Sequence, residues 1–123
     1  MIHGSCHCGA VRWDFNGVPD KLTSCNCTLC RRISGLWAYG TLANVTVIAA
    51  AGATLVYVQG DQTLATHSCN ICGSTTHWLS LATAPDDPNC GRIAVNMRMA
   101  EPADYADIRV RRFDGADTWE FLD

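Results

Sequence analysis

The sequence predicts an all-β chain whose short strands are joined by cysteine-bearing loops and at most short helical turns. Three observations carry this reading. Apolar and polar residues alternate in runs such as Val11-Arg12-Trp13-Asp14-Phe15, which gives each run one apolar face. Turn-forming residues punctuate the runs at Asn16-Gly17, Gly60-Asp61 and Pro85-Asp86-Asp87-Pro88. Seven of the eight cysteines fall into three tight clusters between strands, at residues 6–8, 25–30 and 69–72.

Taken in order, the residues after Cys8 predict a first strand ending at Phe15, with Val11, Trp13 and Phe15 on its apolar face. If Cys6 and Cys8 lie in extended backbone, their sulfurs point the same way and His7 points away. A helical turn is expected between Thr28 and Ile33, ended by Ser34-Gly35. Leu36 to Thr41 reads as a strand on which Trp37 and Tyr39 share a face, able to wall a pocket. Val45 to Ala51 and Thr54 to Val58 follow, separated by Gly52, and a further strand from Gln62 to Ser68 delivers the chain to Cys69. Thr75 to Ser80 alternates, the loop at residues 84–89 breaks it, and Arg92 to Met99 alternates again with Ile93, Val95, Met97 and Met99 on one face. A helical turn from Ala103 to Ile108 and a brief strand from Val110 to Phe113 complete the chain.

With 123 residues and no linker or repeat, the chain reads as one domain spanning 1–123. A net charge of −3 argues against a dedicated nucleic-acid binder, which needs a strong basic excess. The arginines are nonetheless clustered at Arg31-Arg32 and from Arg109 to Arg112, which leaves room for a local anion site. The longest mostly apolar stretch, Val45 to Val58, is interrupted by Thr46, Gly52 and Thr54 and falls short of the roughly 20 residues that cross a bilayer. Neither a basic nor an apolar signal segment opens the sequence, so the expected location is cytoplasmic. In that reducing compartment clustered cysteines are metal ligands or catalytic thiols more often than disulfides.

Cys6, Cys8, Cys69 and Cys72 offer four sulfurs, enough to close a tetrahedron around zinc. Cys25, Cys27 and Cys30 offer three, which hold an ion and leave one position for chemistry. The expectation is therefore two zinc ions per chain, one structural and one catalytic. Spacing alone does not decide which clusters share an ion, and Cys90, His3, His67 or His77 is a candidate fourth ligand for the trio. An iron–sulfur cluster normally wants four cysteines, which the compact trio lacks. A zinc-binding free energy of about 10 to 16 kcal/mol rivals the roughly 5 to 15 kcal/mol by which whole domains are stable. The four-sulfur site can thus decide whether the fold exists.

The motifs Gly4-Ser5-Cys6-His7-Cys8-Gly9-Ala10-Val11, Cys25-x-Cys27-x-x-Cys30-Arg31-Arg32 and Cys69-x-x-Cys72-Gly73 together resemble the glutathione-dependent formaldehyde-activating enzyme family, which includes centromere protein V-like proteins. The resemblance implies a fold of packed antiparallel sheets with zinc-binding loops. It implies structural ligands at Cys6, Cys8, Cys69 and Cys72, and catalytic ligands at Cys25, Cys27 and Cys30. The implied activity is that of a zinc-dependent carbon–sulfur lyase acting on a glutathione or similar thiol adduct, such as S-hydroxymethylglutathione formed from formaldehyde. Arg31, Arg32 and Arg98 are candidate partners for the carboxylates of such a substrate, with Trp37 beside them. Family members often carry Arg at the place of Thr66 and Phe at that of Ser68, so the surroundings of the second cysteine pair differ here. The competing reading is a non-catalytic zinc module that binds a protein or nucleic-acid partner, for which the trio would be saturated by a fourth protein ligand.

Overall fold

The structure is a computed structural model that describes residues 1–123. Ten strands carry the fold: β1 (Ile2–Ser5), β2 (Val11–Phe15), β3 (Lys21–Cys25), β4 (Leu36–Thr41), β5 (Val45–Ala49), β6 (Thr54–Val58), β7 (Leu64–Cys69), β8 (Thr75–Ser80), β9 (Arg92–Asn96) and β10 (Arg109–Phe113). Helix is confined to two single turns, α1 (Cys30–Ile33) and α2 (Pro102–Tyr105), and a 3₁₀ turn at Met97–Met99. The all-β expectation holds.

Three strands order as β1-β2-β5 and seven as β10-β3-β4-β9-β8-β7-β6. Every pair is antiparallel except β10 with β3, which run parallel with Phe113 opposite Cys25. The sheets pack face to face. Ile2, Trp13, Phe15 and Val45 of the smaller sheet share a buried cluster with Leu22, Leu36, Ala38, Ile93 and Val95 of the larger. In β2 the period-two pattern works as written: Val11, Trp13 and Phe15 are buried and Arg12 is exposed.

Local chemistry moved several boundaries. The strand expected to reach Ala51 stops at Ala49, because Ala53 N–H closes a turn on the Ala50 carbonyl at 3.1 Å. The strand expected from Gln62 begins at Leu64, since Gln62 takes φ 59 in the preceding turn. Alternation through Met99 fails after Asn96, whose side chain accepts from Arg98 N–H at 3.2 Å and starts the 3₁₀ turn. Met97 is consequently buried while Met99 leaves the strand face. The expected turn at Ala103 to Ile108 forms as α2 with Pro102 at its first position, where its missing N–H is of no consequence.

Cys6 to Cys8 is a tight turn, not extended backbone. Gly9 takes φ +86 and its N–H bonds back to the Cys6 carbonyl at 3.1 Å, a conformation only glycine adopts freely. Two strands carried no alternation signal: β1, interrupted by Gly4, and β3, whose Leu22 and Thr23 are both buried.

Strand direction places the functional ends. Reading across the larger sheet from β3 to β7, successive strands reverse, so the C-terminal ends of β3 and β7 lie on the same edge of the molecule. Cys25 ends β3 and Cys69 ends β7. Four strand spacings of about 4.8 Å separate them by roughly 20 Å. Between them, buried Asn96 accepts from Leu36 N–H at 3.1 Å and donates to the Thr75 carbonyl at 2.9 Å, pinning β4 and β8 at that end.

Candidate metal centres

Two groups of thiols, and only two, bring three or more potential ligand atoms together: Cys6, Cys8, Cys69 and Cys72, and separately Cys25, Cys27 and Cys30, with all sulfurs of each group within 4.8 Å of one another. The quartet is made by two similar turns. Cys6-x-Cys8-Gly9 follows β1, and Cys69-x-x-Cys72-Gly73 follows β7, with Gly73 at φ +80 and its N–H on the Cys69 carbonyl at 2.9 Å. Cys8 Sγ lies 3.7 Å from Cys6 Sγ and 3.6 Å from Cys69 Sγ. Sulfurs about 2.3 Å from a tetrahedral ion stand about 3.8 Å apart, so these two spacings match those of a tetrahedral zinc site.

Backbone donors aim at these sulfurs. Val11 N–H donates to Cys6 Sγ at 3.2 Å and Ile71 N–H to Cys69 Sγ at 3.4 Å. Such donors offset the negative charge that four thiolates leave around a dipositive ion. The Ser74 hydroxyl and backbone N–H beside Cys72 pull that thiol down to about 5, and the backbone N–H groups of Cys72 and Ile71 lower Cys69. Cys69 and Cys72 are thereby favoured as thiolates, the form that ligates, whereas at Cys8 the Ala10 N–H is outweighed by burial and the neighbouring sulfurs and the thiol is pushed up to about 11.

The trio is built differently. Cys25 ends β3, Cys27 lies in the loop, and Cys30 opens α1. Cys27 N–H donates to Cys25 Sγ at 3.4 Å, and Cys30 N–H to Cys27 Sγ at 3.2 Å. The Trp37 indole N–H donates to Cys30 Sγ at 3.4 Å. Burial pushes the Cys30 thiol up against this indole bond; at Cys27 the burial cost is outweighed by the Cys30 backbone N–H and the neighbouring thiols, and the thiol is lowered. No fourth His, Cys, Asp or Glu joins the trio. Cys90 is exposed in the loop before β9, and His67 and His77 stack on each other at 4.6 Å across β7 and β8. His7 is exposed and belongs to neither group, as expected.

Of the predicted binding residues, Trp37 is 3% exposed and reaches the site through the Cys30 sulfur. Arg31 and Arg32 are on α1, where Arg32 Nη1 donates to the Thr28 carbonyl at 2.5 Å. Arg98 joins them from the 3₁₀ turn, its Nε donating to the Ser34 carbonyl at the end of α1 at 2.8 Å. Beside Trp37, Tyr39 and Trp78 pack at tilted angles, and the Arg92 guanidinium lies 4.9 Å from the Tyr39 ring and 5.7 Å from the Trp78 ring. Sequence reasoning missed Arg92, although its place two residues before Ala94 put it on the Tyr39 face of the sheet. It also missed the C-terminal loop, whose return to Cys25 is a long-range event with no local signal. Where family members often carry Arg and Phe, Thr66 is buried and Ser68 Oγ lies 2.8 Å from Thr75 Oγ1.

Fold and thiol groups together define an all-β protein with two cysteine clusters able to hold metal ions. The profile of the glutathione-dependent formaldehyde-activating enzyme family matches residues 1–86, and the chain belongs to that family. The crystal structure of a Rhodobacter sphaeroides protein is similar to it, with a TM-score of 0.67 and 28% identity over 89% of this chain and 99% of that one. A search of curated proteins gave no match. No helix is long and apolar enough to cross a membrane.

Proposed function

We propose that residues 1–123 act as a single zinc-binding domain, a cytoplasmic carbon–sulfur lyase-type enzyme that makes or breaks the adduct of glutathione, or a similar thiol, with formaldehyde. The observation that carries this reading is the trio, which holds three sulfurs and no fourth protein ligand in a chain of this family. Cys6, Cys8, Cys69 and Cys72 would hold one structural zinc, and Cys25, Cys27 and Cys30 a second. At the second site zinc supplies Lewis acidity, favouring the thiolate of an incoming thiol or polarising a carbonyl oxygen.

The remaining work belongs to the polypeptide. The N–H groups of Cys27 and Cys30 and the Trp37 indole fix the three sulfurs and disperse their charge. Arg31, Arg32 and Arg98, gathered around α1, match the carboxylates of a glutathione-like substrate, since a guanidinium binds a carboxylate with two parallel hydrogen bonds. The reaction balances without redox chemistry: the carbon–sulfur bond forms, the carbonyl π bond opens, and the thiol proton ends on the former carbonyl oxygen. Reversal releases formaldehyde and thiol.

The test is NMR detection of S-hydroxymethylglutathione formation or breakdown by the zinc-loaded protein, against Cys27→Ala. Turnover above the spontaneous rate that disappears in the variant is expected. Equal rates in the two proteins reject the named reaction.

A further inference from the structure

The C-terminal loop folds back onto the cysteine trio from outside the segment matched by the family profile. β10 runs parallel to β3 and brings Phe113 opposite Cys25. Beyond it the loop is tied to the trio on both sides of Asn26: the Asn26 side-chain amide donates to Asp114 Oδ1 at 2.9 Å, and Ala116 N–H donates to Asn26 Oδ1 at 3.0 Å. Gly115 sits directly on the site. A Cβ built there would lie 2.7 Å from Cys25 Sγ, 3.1 Å from Cys27 Cβ and 3.5 Å from the Trp119 ring, so sulfur and indole are neighbours across the width of one missing methyl group.

Trp119 is held in an unusual way for a residue near a chain end. Its φ is +60, a region that a bulky side chain occupies only when its surroundings impose it. The imposing contacts are present: its N–H bonds to the Asp114 carbonyl at 2.7 Å, the Thr118 hydroxyl bonds to Asp114 Oδ2 at 2.9 Å, and Phe113 meets the indole edge-on at 5.2 Å. For all that fixing, the indole remains 69% exposed. Burial of apolar area therefore does not account for the conformation. The loop holds a rigid, half-naked aromatic plate beside a thiol-rich cluster.

We propose that the loop at residues 114–120 is a wall of the thiol site, and that Trp119 is a specificity-determining residue against which the organic body of a peptide-like thiol packs. This rests on the reading of the trio as a thiol-binding site. Gly115 is what lets the wall stand against Cys25. A thiol with no body to pack gains nothing from the indole, whereas glutathione gains a face of apolar and amide contact.

The experiment is calorimetric titration of the zinc-loaded protein with glutathione and, separately, with 2-mercaptoethanol, for wild type, Trp119→Ala and Trp119→Phe. Trp119→Ala is expected to weaken glutathione roughly three- to tenfold, with 2-mercaptoethanol unchanged and Trp119→Phe close to wild type. If wild type binds both thiols and Trp119→Ala binds glutathione equally well, the wall is overturned while the thiol site stands. Equal weakening of both thiols would assign Trp119 to folding and likewise overturn it. A wild type that binds neither thiol overturns both readings.

Discussion

The indole of Trp37 is clamped between Cys30 and Gly35. Its N–H donates to Cys30 Sγ at 3.4 Å, and a Cβ built on Gly35 would fall 2.5 to 2.6 Å from the same ring. A buried tryptophan is thus both a packing element and the one side-chain donor to the trio. Trp37→Phe keeps the packing and removes the donor. Loss of such a partner to a metal-binding sulfur costs about 10- to 100-fold in metal affinity. The expected outcome is a chain that retains one equivalent of zinc on dialysis against a chelator that leaves wild type with two. Retention of both would show the indole bond to be idle.

Gly35→Ala approaches the same ring from the other side. A methyl group has no space there, so the indole must swing away from Cys30 or the α1–β4 connection must shift. Both consequences are expected together: zinc loss from the trio as in Trp37→Phe, and destabilisation of about 1 to 3 kcal/mol by urea titration. An unchanged urea midpoint would mean that the ring has room the geometry does not show.

The two thiol groups also differ in how far they tie the chain. Cys6 and Cys69 are 3% and 2% exposed and join the turn after β1 to the turn after β7, across both sheets. The trio spans residues 25 to 30, close in sequence. Cys69→Ala is therefore expected to unfold or aggregate, given that a structural zinc contributes as much as a domain's whole stability. Cys27→Ala should stay folded. Thermal melting by circular dichroism separates them, and coincident melting curves would show the division of labour to be wrong.

Much of this arrangement was legible in the sequence because it is written locally. Alternation gave β2, β8 and β9, the shared face of Trp37 and Tyr39 gave β4, the break at Gly52 set off β6, and Gly73 after Cys72 announced the turn that gathers the second cysteine pair. What stayed hidden is written in partners. In β3 the neighbours Leu22 and Thr23 point to opposite faces of the sheet and both are fully buried, Leu22 in the core between the sheets, so no alternation marks the strand. The strand pattern ran on through Met99 because Met97 and Met99 fit it, and only the Asn96 side chain bonding to Arg98 N–H ends it. The Cys6–Cys8 turn was misjudged because residues two apart can converge through a glycine-assisted turn as well as along a strand. Gly115 and Trp119 carry no motif, and their place beside Cys25 follows from the parallel pairing of β10 with β3.

His77 is 2% exposed on the face of β8 that looks into the core, stacked on His67 and with Nδ1 2.8 Å from Thr76 Oγ1. Burial first, and the neighbouring His67 second, hold its pKa down to about 4 against the usual 6.5. The unfolded chain takes up this proton as the pH falls through 6.5, while the folded chain refuses it until about 4. Within that window the unfolded state binds more protons, so stability present above pH 6.5 falls as the pH falls and is fully lost below 4. The gap corresponds to about 3 kcal/mol. In His77→Phe, which keeps an aromatic ring against His67, this contribution is absent. Urea titrations of the zinc-loaded proteins at pH 7.5 and pH 5.5, the upper part of that window, should therefore show wild type losing about 1 kcal/mol more than the variant. Zinc retention, measured on the same samples, keeps loss of the structural metal out of the comparison. Equal losses would mean that His77 is already protonated in the folded chain, and that the stacked pair tolerates the charge its burial forbids.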